Sequence, residues 1–222
     1  VVQTSDIVIF AVKPQMMKMV LEELTSARVF EATITRKLIV SIAAGIRIAT
    51  FEDYVYGNVD KHQQARIPVL RAMPNTPALI RAGMTGLCAN RHATARDMAA
   101  VRDLLSSVGG IIECTESEMD AVTAVSGSGP AYVFYLAEAM MAAAVSLGFA
   151  PDVAANLTVT TLKGAAALLE NRNESPEALR RNVTSPGGTT EAAIQVLNDH
   201  GVQQAIVAAI MAAARRSAEL SS

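Results

Sequence analysis

Five short segments of this 222-residue chain are built from glycine, proline or other small side chains, several with hydroxyl or amide groups, in ways that suit a bound small molecule. Thr184-Ser-Pro-Gly-Gly-Thr-Thr190 leads into EAAIQVLNDH, and Ser126-Gly-Ser-Gly-Pro130 leads into a long Ala- and Met-rich stretch. Both read as helix entrances, where unpaired N–H groups and partial positive charge receive carboxylate or phosphate. Gly187 and Gly188 let a ligand approach the backbone, while Ser185, Thr189 and Thr190 add hydroxyls that donate or accept. Plain capping by Ser and Thr accounts for the same residues, and Glu191 in the first turn would repel an anion. The other three segments each follow an apolar run: Val12-Lys13-Pro14-Gln15, Ala43-Ala44-Gly45 and Met73-Pro74-Asn75-Thr76-Pro77. Lys13 is either a partner for phosphate or carboxylate or a plain surface lysine. Asn75 either holds a carboxamide or caps a turn.

Other chemistries find no support. Cys88 and Cys114 have no CxxC partner and no His at a metal spacing, so two buried thiols in a reducing cytosol are expected. His62, His92 and His200 have no partner spacing and read as surface or structural residues. No GxSxG elbow, HExxH or GKS/T loop occurs, and no carboxylate pair stands out for general acid–base work. With 51% apolar and 18% charged residues the chain has material for a core and is not disordered. A net charge of −2 leaves no footprint for nucleic acid, and no basic run suggests a membrane surface. Ala131–Ala150 is just long enough to span a bilayer. It is dominated by Ala, contains Glu138 and lacks flanking Lys or Arg, so a helix buried in a core or subunit interface is expected. The opening VVQTSDIVIF has no basic region before an apolar stretch, and a signal peptide is not expected.

The elements that must position the five segments fall into two halves. DIVIFAV (6–12) reads as a strand buried on both faces. Pro14 then starts a helix with Met16, Met17, Val20, Leu21 and Leu24 at helical spacing. KLIVSIA (37–43) and ARIPVLRAM (65–73) read as further strands, with a short helix near Ile48–Tyr56 between them. MTGLCAN (84–90) reads as a fourth strand toward an edge. Thr94 caps a helix with Met98, Val101, Leu105 and Val108 on one face; Gly109–Gly110 ends it, and IIEC (111–114) is the last strand. Alternating strands and helices predict a mainly parallel sheet with helices on its faces, and ligands bind beyond the carboxyl ends of such strands. From residue 115 onward five or six Ala-rich helices are expected, too poor in bulky side chains to bury much surface singly. Residues 1–114 thus read as a Rossmann-like unit incomplete at its start, and residues 115–222 as an all-helical domain. None of the 13 glycines forms the GxGxxG turn that opens a dinucleotide fold: either the fold binds no dinucleotide or the chain starts after that unit, and the second is expected.

With these elements placed, AVKPQ (11–15), SIAAG (41–45), RAMPNTPA (71–78), AVSGSGPAYVF (124–134) and NVTSPGGTT (182–190) together resemble the pyrroline-5-carboxylate reductase family. They occur in the family's order over nearly the whole chain, without the family's first βαβ portion. The resemblance implies reduction of Δ1-pyrroline-5-carboxylate to L-proline by hydride from NADPH or NADH, the last step of proline biosynthesis, in the cytoplasm. It implies a homodimer through the helical domain, assembled further in some members. It implies that Val12, Lys13, Pro14, Ala43, Met73 and Asn75 line the nicotinamide half of the cofactor pocket, with Ser126, Gly127, Gly129 and Pro130 beside ring and substrate. Asn182, Val183, Ser185, Gly188, Thr189 and Thr190 would hold the imino acid, with Thr190, the catalytic residue, at the ring nitrogen. Two rivals stay open. A β-hydroxyacid dehydrogenase of the same architecture would use a lysine of the helical half, for which Lys163 is the one available residue. A helical oligomerisation module with a degraded cofactor half would have no activity.

Overall fold

The computed structural model describes residues 2–31 and 35–221. Its sheet has five strands in the order β1 (Ile7–Phe10), β2 (Leu38–Ser41), β3 (Val69–Pro74), β4 (Gly83–Ala89) and β5 (Gly109–Glu113). β1, β2 and β3 run parallel, β4 is antiparallel to β3, and β5 is parallel to β4. The sheet is mainly parallel and Rossmann-like, as its alternating strands and helices predict. One expectation is corrected: β4 lies inside the sheet between β3 and β5, and β5 forms that edge. Another correction concerns Gly109–Gly110, which open β5 rather than end a helix. Gly109 has φ +149, and a Cβ there would lie 2.0 Å from the Gly83 carbonyl oxygen, so only glycine lets these backbones approach.

Successive strand residues serve opposite faces. Val8, Phe10, Ile39 and Val69 pack on one face with Met17 and Leu21 of α1 (Pro14–Ser26) and Phe51 and Val55 of α2 (Ile48–Tyr56). Leu38, Val40, Leu70, Ala72 and Leu87 pack on the other with Val101 of α4 (Ala95–Ser106). A four-residue helix α3 (Lys61–Gln64), capped by Asp60 and not expected from sequence, fills the approach to β3.

Thr94 caps α4 in a capping box with Asp97. Asp97 also receives Arg36, whose Nε donates to Oδ1 at 2.9 Å and whose Nη2 donates to Oδ2. Arg36, aided by Thr94, holds the buried Asp97 carboxyl down at about 2. A carboxyl lowered on folding stabilises the fold above its unfolded value and loses that contribution as pH falls toward the folded value. Stability is therefore expected to drop by about 2 kcal/mol between about pH 4 and pH 2 from this group. Urea midpoints across that window check it, and Asp97→Asn should remove this component of the slope.

The chain forms two compact units, Val1–Pro130 with Ile210–Ser222, and Ala131–Ala209. Strands stop at Glu113, but the sheet unit continues through a 3₁₀ turn (Glu116–Glu118), α5 (Met119–Val122) and a π-helical turn (Thr123–Gly127), which bury Met119 and Ala124. The unit also holds the end of α10 (Val202–Leu220), where the Ser217 hydroxyl donates to Asp120 at 2.6 Å.

The second unit is helical: most of α6 (Gly129–Ser146), then α7 (Pro151–Asn171), α8 (Pro176–Asn182), α9 (Thr189–Asp199) and the start of α10. α6 buries none of its described residues, and Val133, Phe134, Tyr135 and Leu136 are each at least half exposed. Of the core and interface readings for this stretch, the core of this chain is excluded. No helix among the described residues is long and apolar enough to cross a membrane.

Candidate functional site

Because β1, β2 and β3 are parallel, the loops after them share one rim of the sheet. Val12, Lys13 and Pro14 are exposed there, Lys13 and Pro14 opening α1; Ala43 is buried, and Gly45 takes φ +73. A Cβ at Gly45 would meet the Leu220 carbonyl oxygen at 3.3 Å, so glycine lets the end of α10 lie against this loop. Pro14, Gln15, Ala44, Gly45 and Ser128 line a cavity of about 470 Å³ together with Arg216 and Leu220. That volume is within the range of small-ligand pockets. Sequence reasoning did not bring α10 to this rim, since no local pattern links residue 216 to residue 45.

Met73 and Asn75 meet the π-helical turn that carries Ser126. A Cβ at Gly127 would lie 3.1 Å from the Met73 methyl, so these two residues are in close contact. Of the two readings of Asn75, turn capping is ruled out: its side chain makes no capping bond to the following 3₁₀ turn. Its Nδ2 donates to the carbonyl and hydroxyl oxygens of Ser126, both at 3.2 Å, and its Oδ1 accepts the Met84 N–H at 2.9 Å. The turn closes with a Ser128 N–H to Thr123 carbonyl bond of 2.8 Å, and Gly129 and Pro130 begin α6. Such π segments recur at functional sites.

A hub missed at the sequence level stands behind this rim. Arg71 of β3 is 2% exposed, and its Nη1 donates to Glu116 Oε1 at 2.8 Å. The same oxygen accepts the Ile48 N–H at 3.2 Å, holding the start of α2, which follows the Ala43–Gly45 loop. Glu116 Oε2 accepts the Cys88 thiol at 3.0 Å. Burial, reinforced by Glu116, pushes the Cys88 thiol far up, so it stays protonated and is no nucleophile. Cys114 is half-buried rather than buried. Among the described residues no group of His, Cys, Asp and Glu can hold a metal ion.

In the helical unit, Asn182 ends α8 and its Nδ2 donates to Glu174 at 2.9 Å, while Val183 is 63% exposed. Gly187 takes φ +70, and Gly188 caps α9 without any side-chain bond. Plain Ser or Thr capping is therefore not what these residues do. The hydroxyls of Ser185, Thr189 and Thr190 make no hydrogen bond among the described residues. Glu191 takes the Gly187 N–H at 2.8 Å, and Ser185 takes the Gly188 N–H at 3.0 Å. The first-turn N–H groups of Thr189, Thr190 and Glu191 are those that the helix itself cannot pair. Lys163 is exposed on α7.

Residues 116–220 match the family described as pyrroline-5-carboxylate reductase dimerisation. A pyrroline-5-carboxylate reductase of Pseudomonas aeruginosa is 46% identical over 220 residues, covering 99% of this chain and 76% of that protein. The crystal structure of a Plasmodium falciparum pyrroline carboxylate reductase with NADP bound superposes with a TM-score of 0.87 at 30% identity, over 100% of this chain and 79% of that one. A pyrroline-5-carboxylate reductase from Coxiella burnetii gives 0.86 at 38% identity, over 99% and 77%.

Proposed function

This chain belongs to the pyrroline-5-carboxylate reductase family, and from that membership we infer that it reduces Δ1-pyrroline-5-carboxylate to L-proline, the last step of proline biosynthesis. The donor is NADPH or NADH; when bound, its nicotinamide supplies the hydride. The rim fits that group: Pro14, Ala44, Ser128 and Gly45 in the left-handed region line a cavity of about 470 Å³, with Arg216 beside them. In this reading Val12, Lys13, Pro14, Ala43, Met73 and Asn75 line the nicotinamide half, with Ser126, Gly127, Gly129 and Pro130 beside ring and substrate.

The observation that carries the substrate assignment is the turn before α9, where three hydroxyls and the first-turn N–H groups stand unspent around a glycine cap. A cyclic imine needs its carboxylate held and its nitrogen met by a hydrogen-bonding group. N–H groups of the α9 entrance suit the carboxylate, with Ser185, Gly188 and Thr189 around it and Asn182 and Val183 flanking. Thr190 meets the ring nitrogen. Protonation of the imine makes its carbon electrophilic, so neither a metal nor a strong base is required. Orientation in a dry pocket supplies much of the rate.

The chain works as a homodimer through residues 115–222, a reading supported by the dimerisation match over 116–220 and by the uncovered apolar face of α6. Residues 1–114 carry the cofactor half. Assembly beyond the dimer and a cytoplasmic setting complete the proposal. The test is turnover by the full-length protein. Cofactor oxidation with Δ1-pyrroline-5-carboxylate is expected, and no cofactor reduction with short β-hydroxy acids. The reverse result, lost on Lys163→Ala, would replace this reading with the hydroxyacid dehydrogenase. No turnover with either substrate would leave the oligomerisation module.

A further inference from the structure

We propose that Asn75 is a positioning residue: its carboxamide fixes Ser126 as a hydrogen-bond donor to an sp² oxygen of the bound ligand. The inference rests on the reading above and deepens it. Asn75 stands at the end of β3, and Ser126 lies 51 residues later in the π-helical turn. The amide's orientation is fixed by its neighbours, because the Met84 N–H has only a proton to offer and must face Oδ1. Nδ2 then faces Ser126. It donates to the carbonyl oxygen, which fixes the backbone of the turn, and to the hydroxyl oxygen, which therefore accepts.

A serine hydroxyl has one proton and two lone pairs. With a lone pair taken by Asn75, the proton is left for an outward acceptor, and none takes it among the described residues. Ser128, two residues on, lines the cavity at the rim. The matching ligand chemistry is a carbonyl or carboxylate oxygen. Two sources carry one: the carboxamide of the nicotinamide and the carboxylate of the imino acid. The Met73 methyl lies against Gly127 of the same turn.

Asn75→Asp keeps the acceptor for Met84 but replaces the donor with a carboxylate oxygen, which draws the Ser126 proton inward. Ser126→Ala removes the hydroxyl alone. Each change, made in the full-length protein, is expected to lower kcat/KM for the imino acid by roughly tenfold, the scale of one hydrogen bond. The double variant should lose no more than either single, because both abolish the same outward donation. A purely structural role for Asn75 would give additive losses. A weaker dissociation constant for NADPH measured alone identifies the carboxamide as acceptor; a raised KM for the imino acid with NADPH binding unchanged identifies the carboxylate.

Additive losses, or Ser126→Ala within twofold of the parent in every constant, overturn the proposal. If Asn75→Asp does not fold, Asn75→Ala takes its place in the same cycle. A parent enzyme that reduces no imino acid defeats the functional reading instead. The coupling is then read in NADPH binding, where its absence overturns the inference too.

Discussion

Glu116→Ala is expected to destabilise the sheet unit by about 3 kcal/mol, the low end for removing one partner of a buried ion pair. The cause is what remains behind. Arg71 is 2% exposed, and its Nε and Nη2 already have no hydrogen-bond partner. Its Nη1 bond to Glu116 is the contact that compensates the buried cation. The same substitution releases the Ile48 N–H and the Cys88 thiol. The carboxylate itself is about one-third exposed, so water softens part of the loss, which places the effect near the lower bound. For a chain of this size about 3 kcal/mol corresponds to roughly 6–12 °C in the unfolding midpoint. Replacing both members of the pair, Arg71→Met with Glu116→Leu, should recover most of it, because no charge is then left without a counter-charge. Midpoints compared at one protein concentration check this. A Glu116→Ala protein within 1 kcal/mol of the parent would show that Arg71 finds another anion or water.

Thr190→Ala is expected to lower kcat/KM for Δ1-pyrroline-5-carboxylate by roughly 10- to 100-fold, the worth of one hydrogen bond to a charged group. Thr190 is half-buried at the second position of α9, and its hydroxyl has no partner among the described residues. No capping bond is lost when it goes, so the helix should fold unchanged. Thr190→Ser restores the hydroxyl and should restore most of the rate. Thr190→Val keeps the shape without the hydroxyl and should not. Loss of an interaction made only in the transition state lowers kcat with KM nearly constant. A change below about threefold in the assembled enzyme would remove Thr190 from the chemistry.

Local signals carried much of this fold. The first apolar run, expected to be buried on both faces, leaves Ile9 of β1 42% exposed, and it is LIVS of β2 that is buried on both; Thr94 caps α4 with Asp97 three residues on, as expected. The direction of β4 was also written in the chain. Only residues 75–82 separate β3 from β4, fewer than the dozen or so that a parallel crossover needs. Gly109–Gly110 misled because a glycine pair after an amphipathic helix reads as its stop, whereas here it answers the backbone of Gly83. The glycine-rich loops were legible as loops. What joins them was not: Asn75 to Ser126, Arg71 to Glu116 and Gly45 to Leu220 are contacts across 45 or more residues with no periodicity to announce them. Long-range polar pairs carry no local signature, because the partner is chosen by the fold.

The return of Ile210–Ser222 to the sheet unit bears on how the protein is made. A ribosome delivers the five strands early and Ser217 late, so the sheet waits through the synthesis of four intervening helices before Asp120 meets its hydroxyl donor and Gly45 its cover. Until then the loop at Ala43–Gly45 lacks the cover that the end of α10 gives it. A premature stop or a nick before residue 210 would therefore damage a unit whose strands were translated long before, and a bulky label placed just after Leu220 would press on the Ala43–Gly45 loop rather than on the helices beside it in sequence.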